Sequence, residues 1–268
     1  MDTILRKEIL NDAKEWIYEA GDLIRSEMKH PYVINTKKNR KDLVTEIDEK
    51  TEQFLYTKIN NKYPDHLVLG EEGKGNQIES LNGIIWFVDP IDGTMNFVNQ
   101  QRFFAISIGI YHNGVGEIGL IYDVVGDILY EGIRGEGAYK NGQKLQPLSK
   151  EKTLKDSLIG INSFWSTPNR RVDEKNIHKL IKEVKGTRSY GSAALEFAFV
   201  SEGIMDAYIT MRLQPWDIAA GMVLLNEVGG ITSRADGKEV NLLTGNSIVC
   251  CNPAIHSSLL SFIKLKEG

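Results

Sequence analysis

The chain lacks most of what marks a secreted, membrane-spanning or nucleic-acid-binding protein. Its 268 residues include only two cysteines, Cys250 and Cys251, and they are neighbours. Adjacent cysteines rarely meet disulfide geometry, and these two close the apolar run Ser247-Ile248-Val249-Cys250-Cys251. They read as reduced core residues, which fits a cytoplasmic protein. A metal site built from cysteines is excluded by count. No run is apolar for long enough to span a bilayer. Charges interrupt every apolar stretch of Met1-Asp2-Thr3-Ile4-Leu5-Arg6-Lys7-Glu8, so no signal peptide is expected. Charge of one sign is missing as well. Lys and Arg number 32 against 36 Asp and Glu, a net charge of −4. That balance gives no electrostatic reason to expect duplex DNA or an anionic membrane as partner. Internal repeats, low-complexity tracts and Pro/Ser-rich linkers are also missing.

What is present is an ordinary globular chain, long enough for one large unit with a sizeable core. Leu5, Ile9, Ala13, Trp16, Ile17, Ala20, Leu23, Ile24 and Met28 recur at helical spacing, which predicts a helix over 4–28 closed by Pro31. A second helix is expected from Asp48 to Lys62, with Thr51, Phe54, Leu55 and Ile59 on one face. The period then shortens. Runs at 66–70 and 84–88 read as strands, followed by strands over 104–112, 115–125 and 128–134. Asn113-Gly114 and Asn141-Gly142 are hairpin signals, so this sheet is expected to be partly antiparallel.

After about residue 150 strands and helices alternate, the α/β pattern. Strands are expected at 157–163, 205–211 and 246–251. Helices are expected at 171–184, 192–201, 217–228 and 254–264. Two packed sub-regions, 1–150 and 151–268, are expected to share a cleft. The loops at 73–82 and 30–42 read as mobile or solvated, and the second has the alternative reading of a lid.

The chemistry lies in the acids. In Trp86-Phe87-Val88-Asp89-Pro90-Ile91-Asp92-Gly93-Thr94 an apolar strand ends in two aspartates three apart. Carboxylates held together repel and need a cation, and hard oxygen donors suit Mg²⁺. Asp89 is placed to bridge two ions, with Asp92 on the second and the Ile91 carbonyl on the first. Pro90 fixes the turn. Gly93 and Thr94 offer N–H groups at a helix start, where phosphate is favoured. Three other acids stand at comparable junctions. Glu71 in Gly70-Glu71-Glu72-Gly73 follows a strand, and reads either as a ligand or as part of a solvated acidic loop. Asp42-Leu43-Val44-Thr45-Glu46-Ile47-Asp48 precedes a helix, so Thr45 or Asp48 is a candidate N-cap, and a capping acid can also orient water. Asp217 in Trp216-Asp217-Ile218-Ala219-Ala220-Gly221 opens an apolar helix. It reads as a cap or as a ligand, and the small residues after it suggest very close packing.

Taken together, these segments resemble the inositol monophosphatase family. Asp89-Pro90-Ile91-Asp92-Gly93-Thr94 matches its signature hexapeptide, and the segments around Glu71, Asp217 and Asp42–Asp48 match its other motifs in order and spacing. The resemblance implies a layered α-β-α-β-α sandwich and a homodimer. It implies hydrolysis of a small phosphorylated metabolite with two principal Mg²⁺ ions, a third weaker ion near Glu71, and sensitivity to Li⁺. It implies Glu71, Asp89 and the Ile91 carbonyl as ligands of the first ion, Asp89, Asp92 and Asp217 as ligands of the second, and Thr94 with Asp48 as the pair that orients or deprotonates the attacking water.

The alcohol half of the substrate is less settled. Gly191-Ser192-Ala193 resembles the family's substrate loop, although Ser192 also reads as a plain helix cap. Inositol-selective members carry a glutamate seven positions before the last aspartate, and here that position is Thr210. Arg212 follows it, Arg188 precedes the glycine loop, and Phe164-Trp165 replaces small polar residues. Arg212 reads either as a binder of a second phosphate or as a surface charge. Alternatives therefore include a phosphatase acting on NADP, fructose 1,6-bisphosphate or a 3′-phosphonucleotide. A non-catalytic partner of the transcription machinery is a further alternative.

Overall fold

The computed structural model describes residues 1–36, 43–73 and 75–266. Residues 37–42 of the 30–42 segment, Asp42 among them, lie outside them, as does Lys74 in the 73–82 loop.

The first helix, α1 (Thr3–Glu27), starts where Asp2 accepts from the N–H groups of Ile4 and Leu5. Its buried stripe is Ile9, Ala13, Trp16, Ile17, Ala20 and Ile24, the period that the sequence predicts. A short antiparallel pair follows, β1 (Ile34–Thr36) and β2 (Leu43–Thr45). The next helix, α2 (Glu46–Lys62), begins two residues before the expected Asp48. Thr45 is the N-cap and Asp48 sits at the third helical position, its carboxylate accepting from the Thr45 N–H at 3.0 Å.

Seven strands then form one sheet: β3 (Leu67–Gly70), β4 (Ile84–Asp92), β5 (Ala105–His112), β6 (Val115–Asp123), β7 (Ile128–Ile133), β8 (Gly137–Lys140) and β9 (Gln143–Lys144). They lie in chain order. Only β3 and β4 pair in parallel. Both Asn-Gly turns close hairpins with positive φ at each residue, 51° and 77° at Asn113-Gly114 and 47° and 76° at Asn141-Gly142. Between β4 and β5 lies α3 (Thr94–Gln100).

The second sheet is assembled from β10 (Leu158–Ile161), β11 (Gly186–Arg188), β12 (Ala207–Leu213), β13 (Ile231–Ser233) and β14 (Asn246–Cys251), in the order β11-β10-β12-β14-β13. Four helices accompany it: α4 (Glu174–Glu183), α5 (Ala193–Glu202), α6 (Pro215–Glu227) and α7 (His256–Phe262). The expected helix over 171–184 starts later, at Glu174, where Asp173 caps it. The expected helix over 254–264 is split into a 3-10 turn at Pro253–Ile255 and α7. The strands β8, β11 and β13 escape a pattern-based reading because three or four residues carry too little alternation.

Three apolar cores hold five layers together. α1 and α2 cover one face of the seven-stranded sheet through Trp86, Val88, Ile106, Ile108 and Ile110. α5 and α6 fill the space between the sheets, against Ile85 and Phe87 on one side and Tyr208, Ile248 and Cys250 on the other. α4 and α7 cover the far face of the second sheet, where Cys251 is buried. The architecture is therefore the expected α-β-α-β-α sandwich. Cys250 and Cys251 are free, and strand alternation sends them to opposite faces. Among the described residues no helix is long and apolar enough to cross a membrane.

The central layer is unusually close to the first sheet. Gly109, Gly119 and Gly132 stand side by side on β5, β6 and β7. They form a groove for α6. A Cβ at Gly119 would lie 2.2 Å from the Ala220 carbonyl oxygen, and one at Gly132 would lie 2.5 Å from the Leu224 Cα. The small residues after Asp217 thus meet glycines across the interface. Gly119→Ala is expected to cost about 1–3 kcal/mol by overpacking and to push α6 outward. Urea unfolding checks this, and an unchanged midpoint would contradict it.

Candidate metal centre and active site

Two aspartates three apart on a regular strand point to opposite faces. Here they do not, because β4 is bulged. Asp89 pairs with Ser107 and Asp92 with Ala105, so three steps on β4 match two on β5. The strand ends at the acids, as its sequence suggests, and its last four residues run through the bulge. Pro90 sits inside it and has no N–H to leave unpaired. Ile91 turns its side chain into the α1/α2 core. Asp89 keeps the face of Ile85 and Phe87, and Asp92 joins it.

That face is the one α6 covers. The helix begins at Pro215, two residues before the expected start at Asp217. Asp217 accepts from the Gln214 N–H at 2.7 Å, so it closes a capping box. The glycine groove brings this turn of α6 against the β4 bulge. Carboxylate oxygens of Asp89, Asp92 and Asp217 come within 4.8 Å of one another. Glu71, half-buried at the end of β3, makes a side-chain hydrogen bond to Asp89.

The electrostatics follow from crowding. Burial, then the charges of Glu71, Asp92 and Asp217, hold the Asp89 carboxyl well above its ordinary value. Burial pushes Asp92 up to about 6, although Ser192 and Ala194 oppose it by hydrogen bonding. Such a set ionises fully only beside a cation. All its donors are hard oxygens, which fits Mg²⁺.

Asp48 stands next to this cluster. Burial raises it to about 6 against the hydrogen bonds from Thr45 and Thr94. Its Oδ2 receives the Thr45 N–H and hydroxyl, and its Oδ1 lies 3.2 Å from Thr94 Oγ1. The Ile91 carbonyl is also 3.2 Å from Thr94 Oγ1, so the single hydroxyl proton has two acceptors.

These acids hold their protons more tightly folded than unfolded. Their stabilising contribution is complete below the ordinary aspartate value of 3.8 and is lost as pH rises through about 6. Metal-free protein is therefore expected to lose thermal stability across that window. Melting in EDTA over a pH series checks it, and a flat profile would refute it.

The opposite wall comes from the N-terminus of α5. Ser192 is its cap, and the hydroxyl donates to Asp92 Oδ2, which also accepts from the Ala194 N–H at 2.7 Å. Ser192 is buried, and its oxygen also accepts from Leu195 N. Gly191 and Ala193 line a cavity of about 830 Å³ with Gly93, Thr94 and the metal-centre acids. Phe164, the buried Thr210 and the exposed Arg170, Arg171 and Arg212 also line it. Arg188 is exposed and donates to the carbonyl of its neighbour Thr187.

Two residues at this wall escape a sequence reading. Asn96 donates to the Phe103 and Tyr190 carbonyls at 2.8 and 2.5 Å, fastening α3 to the loop before α5. Glu196 is buried beneath the same loop. The one available signal was a lone acid in the apolar run Ala193-Ala194-Leu195-Glu196-Phe197-Ala198.

A cluster of buried carboxylates at the junction of two sheets, beside a hydrogen-bonded Thr–Asp pair, has the form of a metal-assisted hydrolase centre. The model of the inositol monophosphatase family matches residues 5–264. The chain is 54% identical over 252 residues to inositol-1-monophosphatase of Bacillus subtilis (strain 168), covering 94% of this chain and 95% of that protein. The solved structure of inositol monophosphatase-II from Staphylococcus aureus MSSA476 superposes with a TM-score of 0.87 at 42% identity, covering 95% and 92% of the two chains. An IMPase/NADP phosphatase complexed with Mg²⁺ and phosphate superposes at 0.90 with 28% identity, covering 98% and 99%. The chain belongs to the inositol monophosphatase family of phosphoric monoester hydrolases.

Proposed function

We propose that the chain is a Mg²⁺-dependent phosphatase for a small phosphate monoester, inositol monophosphate-like in its alcohol half. The observation that carries this reading is the meeting of Asp89, Asp92 and Asp217 beside Thr94 and Asp48. Glu71, Asp89 and the Ile91 carbonyl would hold one ion, Asp89, Asp92 and Asp217 a second, and Glu71 a weaker third. Bound there, Mg²⁺ neutralises phosphate charge, lowers the pKa of the attacking water and stabilises the leaving oxygen. Thr94 would accept the water's proton and pass its own to Asp48, whose Oδ1 lies 3.2 Å from Thr94 Oγ1. Gly93 and Thr94 open α3 and favour the phosphate through their N–H groups. Gly191, Ser192, Ala193 and Arg212 make up the substrate wall, with Ser192 acting through Asp92. The enzyme works in the cytoplasm, a placement supported by its two free, buried cysteines, and as a homodimer, as the family resemblance implies.

Phosphate release from a panel of inositol monophosphate, NADP, fructose 1,6-bisphosphate and a 3′-phosphonucleotide tests the reading. Release is expected to need Mg²⁺, to stop with EDTA and to fall with Li⁺. Release from none of them would overturn it and favour a binding role with the transcription machinery.

One observation favours a second reading of the substrate. Arg170, Arg171 and Arg212 line the same cavity as the acids, Arg171 with one guanidinium nitrogen on the Met211 carbonyl, and the half-exposed Phe164 lines it too. Guanidinium groups and a ring suit an alcohol half with a second phosphate or a base. A marked preference for NADP over inositol monophosphate in the same panel would select it.

A further inference from the structure

We infer that Glu196 is a positioning residue that sets the loop receiving the alcohol half of the substrate, an inference that rests on the phosphatase reading of the site. Glu196 is only 2% exposed. Its Oε1 accepts from the N–H groups of Tyr190 and Gly191 at 2.9 and 3.4 Å. Its Oε2 has no hydrogen-bond partner among the described residues. Burying a carboxylate with one oxygen unsatisfied is costly, and an apolar side chain would fill the same volume without that cost.

The fold makes room for the group. Gly160 on β10 lies directly beneath it, and a Cβ there would stand 2.0 Å from Oε2. Gly160 therefore leaves the space in which the carboxylate sits. From there Glu196 holds Tyr190 by its N–H, while Asn96 holds the same residue by its carbonyl. The loop is fixed from both sides. Gly191 has φ +79° and lines the cavity with Ser189, Tyr208 and Thr210. The loop therefore shares in shaping the wall of the cavity beside the metal-centre acids. Catalysis itself lies one turn away, where Ser192 and Ala194 hold Asp92.

Three variants test the inference: Glu196→Ala, Glu196→Gln and Gly160→Ala. Each is measured by hydrogen exchange over residues 188–192, by thermal melting, and by kcat and KM on inositol monophosphate with saturating Mg²⁺. Glu196→Ala is expected to speed exchange in the loop and to raise KM by about tenfold, the scale of a lost buried hydrogen bond. The rise in KM should exceed any fall in kcat. Glu196→Gln keeps an acceptor for both N–H groups and should restore exchange and KM. Gly160→Ala lies outside the cavity lining and should reproduce the kinetic change by displacing the carboxylate. Wild-type exchange and KM in Glu196→Ala would overturn the inference while leaving the phosphatase reading intact. If Glu196→Ala does not fold, a wild-type KM in Gly160→Ala overturns it. A wild-type enzyme that releases no phosphate overturns the phosphatase reading and this inference with it.

Discussion

Asp89→Asn is expected to remove turnover and, at the same time, to stabilise the metal-free protein. Both effects come from one arrangement. Asp89 is 1% exposed and faces the charges of Glu71, Asp92 and Asp217. Without a cation its ionised form is penalised by burial and by three neighbours of like sign. An amide removes that repulsion, and its oxygen still accepts from the Ile91 N–H, a 3.0 Å bond in the native protein. Melting near neutral pH in EDTA should therefore shift upward. With Mg²⁺ the order reverses. If Asp89 holds Mg²⁺ as proposed, its loss would forfeit several kcal/mol of charge stabilisation in the transition state, or about a thousandfold in rate. The variant should also lose most of the rise in melting temperature that Mg²⁺ gives the native protein. Near-native turnover at saturating Mg²⁺ would remove Asp89 from the ligand set. Asp217→Asn should behave alike in turnover, because its oxygen can keep the Gln214 cap.

Asp48→Asn separates proton transfer from metal binding. Asp48 has two tasks that its sequence position alone does not rank. It closes the cap of α2 through Thr45, and it faces Thr94 Oγ1. The amide can still accept from Thr45 but cannot take a proton, so any stability loss should stay within the roughly 1 kcal/mol typical of a cap and be offset near neutral pH by removal of a buried charge. Turnover should fall by about 10²- to 10⁴-fold, the usual scale of a lost general base. The Mg²⁺-induced rise in melting temperature should be retained, in contrast to Asp89→Asn. Thr94→Ala should share the kinetic loss, and Thr94→Ser, which keeps the hydroxyl, should recover most of it. A loss of the Mg²⁺ response in Asp48→Asn would instead make that residue a ligand.

The paired signs in the first experiment are informative about the fold. A site whose acids destabilise the empty protein is held together by packing elsewhere, and the α6 groove, with backbone approaches that leave no room for a Cβ, supplies such packing. Substitution at Gly119 and at Asp89 should therefore move stability in opposite directions while both lower activity. One disturbs the scaffold that delivers Asp217, and the other relieves the repulsion that the scaffold imposes.

Much of this was legible in order along the chain. The helical period of α1, the Asn-Gly turns and the apolar strands announce themselves because each depends on neighbours within a few residues. The acids were conspicuous for the same reason, since they interrupt apolar runs at Asp89, Asp92 and Asp217. The Thr45–Asp48 cap was legible too, although its helix begins earlier than the apolar pattern suggests. Less visible were the short edge strands, Asn96 and Glu196, whose importance comes from partners far away in the chain. Asn96 meets Tyr190 across 94 residues.

The sequence by itself determined the donor chemistry: hard oxygens only, at strand ends and helix starts, with no cysteine or histidine cluster to suggest another metal. Only the tertiary structure decided that these donors share one cleft. Spacing of three on a strand sends Asp89 and Asp92 apart, and the bulge at Pro90-Ile91 turns them together. Asp217 lies more than a hundred residues away, and it arrives because glycines on three adjacent strands let α6 approach to backbone contact. Register and close approach are properties of paired elements, and no single segment of the chain contains them.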